Sequence, residues 1–122
     1  MERKIYQLTA SNQKKIARAA ANPIDWAAIE AERPADTKSK AFRKWSMRKR
    51  DLALIAMRDT AEYMQGKGQG ALDLACGLPY AEKTDDKSYN CGYHNGYTNP
   101  SNLHDLKTHN PNFAFLREQE EK

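Results

Sequence analysis

The stretch Tyr89-Asn-Cys-Gly92-Tyr93-His-Asn-Gly96-Tyr97 constrains this chain more than any other. Tyr89, Tyr93 and Tyr97 fall four residues apart, so on a helix they share one face. Gly92 and Gly96 lie on the adjoining face and leave its backbone open to close approach. Glycine costs a helix interior about 1 kcal/mol relative to alanine. A helix carrying two of them beside a tyrosine row is therefore expected to be shaped for contact. With Tyr80 just upstream, the residues Tyr80, Tyr89, Gly92, Tyr93, Gly96 and Tyr97 form a candidate interaction surface. The competing reading is that Tyr89 and Tyr93 fill a small core, as aromatics at helical spacing commonly do.

A chain of 122 residues makes one domain and buries roughly two-thirds of its unfolded surface. No apolar run approaches the roughly 20 residues that cross a bilayer. The N-terminus, Met-Glu-Arg-Lys-Ile-Tyr, lacks an apolar signal core. A cytoplasmic location and no membrane partner are the expectation. The net charge is +4, unevenly spread. Residues 1–65 hold 14 Lys and Arg against 8 Asp and Glu, while residues 66–122 hold 6 against 8. A basic half joined to a mildly acidic, tyrosine-rich half fits a binding protein with two unlike faces.

Cap and breaker signals predict an all-α fold, a small bundle of five or six helices around one long central helix. Residues 1–8 read as an extended arm. Thr9 or Ser11 caps a helix over Gln13 to Ala20. Asn22-Pro23 opens a second helix that runs to about Glu32. Asp36 or Thr37 caps the long helix, about Lys38 to Met64, which no Gly or Pro interrupts. Gly66-Lys67-Gly68-Gln69-Gly70 reads as its stop and as a hinge. A short helix over Ala71 to Cys76 ends at Gly77. Thr84, Asp85 or Asp86 caps the tyrosine helix, about Lys87 to Asn95. Asn99-Pro100-Ser101 reads as a turn before a short helix over Leu103 to Thr108, and Glu118 to Lys122 as a fraying end. The organisation expected is one domain. It comprises an N-terminal helical arm (1–35), a basic then apolar helix (36–65), a tyrosine-rich segment (66–100) and a C-terminal segment (101–122). No internal repeat is evident.

Lys38, Lys40, Arg43, Lys44, Arg48, Lys49 and Arg50 are seven bases with no acid among them. Each base on a helix end neutralises a phosphate when bound to nucleic acid, giving salt-dependent affinity. Trp45 and Phe42 interleave with them and are placed to stack on bases. The competing readings are a face that meets an acidic protein groove and a merely solvated face.

Cys91-x-x-His94, with Cys76 and His104 or His109, has the residue types of a zinc site. Structural sites bring cysteines two to four residues apart, so no metal is assigned and no cofactor is expected. The chain has no serine elbow, no His-Glu-x-x-His helix and no paired catalytic carboxylates. The expectation is a non-enzyme without a small-molecule substrate.

Pro79-Tyr80, eight residues, then Tyr89-x-x-Gly92-Tyr93 resembles the second half of the bacterial ribosome modulation factor family. That family reads Cys-Pro-Tyr, a spacer, then Trp-x-x-Gly-Trp. Tyr89 and Tyr93 stand at its tryptophans, and Tyr63 with Gly66 is similar to its Gly-Tyr-x-x-Gly start. The likeness covers roughly Tyr63 to Tyr97, and small phage and plasmid proteins carry similar segments. It implies a short, basic, helical protein that docks on the ribosome or another structured RNA and occludes it without chemistry. The alternative is a phage-type or mobile-element inhibitor or adaptor. Such a protein would bind a host nucleic-acid enzyme through its basic helix and its Tyr/Gly surface.

Overall fold

The computed structural model describes residues 3–83, 85–99 and 103–120, the last without its side chain. These residues form seven α-helices and no strand. An extended N-terminal arm leads into α1 (Ala10–Ala21), α2 (Trp26–Ala31), α3 (Lys40–Arg58), α4 (Ala61–Ala75) and α5 (Lys87–Thr98). Next come α6 (Leu103–His109), a 3-10 turn (Pro111–Phe113) and α7 (Ala114–Glu120). The all-α expectation holds, but the single long central helix does not. The chain breaks at Asp59-Thr60, because the Thr60 side chain accepts a hydrogen bond from the Tyr63 N–H and caps a new helix. The Thr60 hydroxyl also donates to the Met57 carbonyl at 2.7 Å, closing the end of α3. The cap of α3 is Ser39, not Asp36 or Thr37.

The Gly66–Gly70 run is likewise not a stop. It lies inside α4, and Gly66, Gly68 and Gly70 are all buried. The reason is tertiary. A Cβ at Gly66 would come within 3 Å of the Tyr89 carbonyl, and one at Gly70 within 3 Å of the Tyr93 carbonyl. On α5, a Cβ at Gly92 would strike the Tyr63 carbonyl and one at Gly96 the Lys67 carbonyl. The two helices interlock backbone to backbone, an approach that suits Cα–H···O contacts and that any larger residue would block. Contacts advance together along both helices, so α4 and α5 run parallel. The four contacts are also symmetric: exchanging Tyr63, Gly66, Lys67 and Gly70 for Tyr89, Gly92, Tyr93 and Gly96 reproduces the set. The sequence therefore does contain an internal repeat, Tyr-x-x-Gly-x-x-x-Gly, once in each helix.

Parallel neighbours need a returning connection, and the tyrosine row holds it. The Tyr97 hydroxyl donates to the Leu78 carbonyl at 2.7 Å. The Tyr93 hydroxyl accepts from the Ala81 N–H at 3.1 Å. The Asn90 side chain bonds both the N–H and the carbonyl of Lys83. The segment from Gly77 to Lys83 thus runs back along α5, one partner per turn. Gly77 begins it with φ +71°, a left-handed conformation that suits glycine. Asp86 caps α5, its side chain accepting from the Tyr89 N–H.

A second polar ladder ties the N-terminal arm to α4. Gln65, Gln69 and Asp73 are four apart and share a face. Gln65 donates to the Tyr6 carbonyl. Gln69 accepts from the Tyr6 N–H at 2.8 Å and donates to the Lys4 carbonyl at 2.7 Å. Asp73, buried, receives Arg3 at 2.9 Å and the Tyr93 hydroxyl at 2.6 Å. Beneath the arm, Tyr6, Ala71, Leu72 and Phe113 form the apolar core, with Leu103, Leu106 and Leu116 packed on it.

Elsewhere the boundaries shift modestly. Thr9 caps α1 with a reciprocal Asn12 bond. Asp25, rather than Asn22, caps α2. α7 continues helical to Glu120, where fraying was expected from Glu118. Of the expected signals, Thr84, Pro100, Ser101, Glu121 and Lys122 lie outside the described residues.

Candidate nucleic-acid interface

Helix α3 carries most of the basic run and has no buried residue. Its inner side is set by α2. The Trp45 indole N–H donates to the Ile29 carbonyl at 2.8 Å. Phe42 packs on Trp45 with ring centroids 5.5 Å apart. The Arg33 guanidinium lies over both rings, 5.4 Å from Phe42 and 5.7 Å from Trp45. Two of the seven bases form surface ion pairs with acids at and just after the end of α2. Arg48 pairs with Glu32 at 3.1 Å and Lys49 with Glu30. Trp45 and Phe42, expected as stacking surfaces for bases, are half-buried and also pin α2 on α3.

The outer side is different. At 3.6 residues per turn, Lys40, Arg43, Lys44, Met47, Arg50, Leu54 and Arg58 share an arc of about 120°. That stripe runs about 27 Å along the helix at 1.5 Å per residue. None of its five bases is in an ion pair among the described residues. Asp51 is the one acid within the arc. Met47 and the neighbouring Ile55 stand out, 61% and 51% exposed. Lys38 precedes the helix, its N–H bound to the Asp36 side chain at 3.0 Å. Arg58 belonged to no sequence-predicted site. The signal for it was the position 18 residues, five full turns, beyond Lys40, hidden because the helix was expected to run on to Met64.

The second predicted surface fares otherwise. Tyr89, Gly92, Tyr93 and Gly96 are buried between α4 and α5. Only Tyr80 of that set is exposed, at 40%, its ring edge-on to Tyr93 and Tyr97 at 5.0 and 5.3 Å. The close approach that the glycines permit is made within the chain, not with a partner. Burial, with the hydrogen bond to the Asp73 carboxylate, raises the pKa of the Tyr93 hydroxyl well above the ordinary tyrosine value. That hydroxyl is a fixed donor.

Cys76 and Cys91 are free thiols. Burial pushes the Cys76 thiol up, away from a reactive thiolate. Among the described residues, no three His, Cys, Asp or Glu side chains gather as metal ligands. No described helix is long and apolar enough to cross a membrane.

Compared with family models, curated proteins and solved structures, the chain matches none of them.

Proposed function

We propose that this is a non-enzymatic binding protein that docks on structured RNA, ribosomal RNA included, and occludes the surface it covers. The observation that carries the reading is the outer stripe of α3. Lys40, Arg43, Lys44, Arg50 and Arg58 line one side of a solvent-facing helix while Arg48 and Lys49 are engaged by α2. Unpaired bases on a projecting helix are suited to releasing counterions from a phosphate backbone. The resemblance to ribosome modulation factors supports the same class of partner. Its residues Tyr63, Gly66, Tyr89, Gly92 and Tyr93 belong to the interlock of α4 and α5, so the likeness bears on the scaffold and α3 supplies the charge.

The test is fluorescence anisotropy with a ribosomal RNA hairpin across a salt series. Four or five phosphate contacts give a slope of log affinity on log salt of about −3 to −4.5, at roughly 0.7–0.9 per phosphate. The variant K40E/R43E/K44E/R50E is expected to lose binding and keep its melting temperature. Wild-type-like affinity in that variant, or a salt-independent affinity, refutes the reading.

One observation favours a second reading, a host nucleic-acid enzyme as the partner. Met47, Leu54 and Ile55 are exposed apolar groups among the bases, a composition that suits an acidic protein groove with an apolar floor. Stoichiometric capture of one protein after nuclease treatment, with no binding to bare RNA, would select it.

A further inference from the structure

A cleft of about 470 Å³ opens between α1, α4 and α6, within the size range of small-ligand sites. Its lining has two parts. One part is apolar, built from Met64, Ala71, Leu103 and Leu106 with Tyr63. The rim holds Lys15 from α1, Arg58 from the end of α3 and Lys67 from α4. No base of this rim is in an ion pair among the described residues. Asp59 is the one acid in the lining, so the cleft keeps an excess of positive charge. Amides complete the rim. The Asn12 carbonyl oxygen is taken by Thr9 and by the Tyr6 hydroxyl, which leaves its NH2 group as a donor, and Asn99 stands opposite on the end of α5.

We propose that this cleft is a nucleotide-binding site. Apolar side chains with the Tyr63 ring suit a base, three cations suit a phosphate, and side-chain amides suit the polar edge of a base. A fatty acid would need a continuous apolar tube, which amides and cations on this rim interrupt. Arg58 belongs both to this rim and to the outer stripe of α3. The nucleotide therefore has two possible sources with one chemistry: a free nucleoside phosphate, or the end of an RNA strand lying along α3. Only the second source rests on the RNA-docking reading.

The experiment titrates the full chain with AMP, with inorganic phosphate and with a short single-stranded RNA. It follows backbone amide shifts by NMR and affinity by calorimetry. AMP is expected to saturate, to bind more tightly than phosphate, and to move the amides of Lys15, Lys67 and Asn99. The variant K15E/K67E changes two exposed side chains and is expected to lose affinity about tenfold or more. The variant K83E/K87E makes the same charge change away from the cleft lining and is expected to bind AMP like wild type. If only the RNA strand moves the three cleft amides, the strand end is the source and the proposal stands. If neither ligand moves them, or K15E/K67E binds like wild type, the proposal is overturned. RNA binding that shifts α3 alone, with no response of the cleft amides to AMP, overturns the cleft and leaves the docking reading intact. AMP binding without RNA binding does the reverse.

Discussion

At the scale of single residues, the glycines of α4 and α5 matter for what they lack. Each of Gly66, Gly70, Gly92 and Gly96 faces a carbonyl of the other helix where a methyl group has no room. Gly66→Ala and Gly92→Ala are each expected to destabilise the fold by about 1–3 kcal/mol, the usual cost of overpacking. Thermal denaturation checks this, and unchanged melting in both would mean that the helices can slide apart freely. Tyr93 makes a different contribution. Its hydroxyl donates to Asp73 and accepts from Ala81, so Tyr93→Phe is expected to cost about 1–3 kcal/mol. Its pKa is raised in the fold by burial and by Asp73, so the folded state holds the proton more tightly than the unfolded chain. The resulting stability is whole below the unfolded tyrosine pKa near 10 and is lost as pH rises past it. Denaturant midpoints measured from pH 8 to 11 should fall, and fall less steeply in Tyr93→Phe. Tyr6 and Tyr89, also raised by burial, keep part of the slope. Equal slopes in the two proteins would remove Tyr93 from the account.

At the scale of elements, Gln69 decides whether the arm is part of the fold. It is 2% exposed and bonds Tyr6, Lys4 and Asp73. Gln69→Ala leaves the Tyr6 N–H unpaired and is expected to cost about 1–3 kcal/mol. Hydrogen exchange at Tyr6 should quicken in that variant while α5 keeps its protection; an unchanged rate would show that Gln69 does not hold the arm. Which elements were legible in the sequence follows from the range of the forces. Thr9 and Asp86 announce their helices because a cap acts over three residues. The Asp59-Thr60 break carried the same local signal, but an unbroken apolar pattern from Leu52 to Met64 masked it. Glycine's poor helix propensity pointed to a stop at Gly66, and tertiary packing overrode it. The clue was the matching Tyr-x-x-Gly-x-x-x-Gly in α5, visible only when the two segments are laid side by side. The basic stripe was legible as composition. Which bases face outward was not, because Glu30 and Glu32 reach Lys49 and Arg48 from a different helix.

At the scale of the whole molecule, burial is uneven, and that asymmetry predicts dynamics. The accessible surface is 8667 Å², against roughly 6,700 Å² for a compact monomer of this mass. Helix α3 buries no residue and α2 buries only Ile29, whereas α4 buries eight residues and α5 four. Local opening free energy follows buried contact. Amides in Lys40 to Arg50 are therefore expected to exchange through local opening, at least tenfold faster than those in Tyr63 to Leu72, which should open only with the whole fold. On the docking proposal such independence would serve binding, since α3 could adjust to a partner without disturbing the α4–α5 interlock. Adding the RNA hairpin should then protect Lys40 to Arg58 selectively and leave α4 and α5 unchanged. Native-state hydrogen exchange with and without RNA measures both. Uniform protection along the chain would make α3 part of the core, and protection appearing on α5 instead would move the interface to the exposed Tyr80 edge.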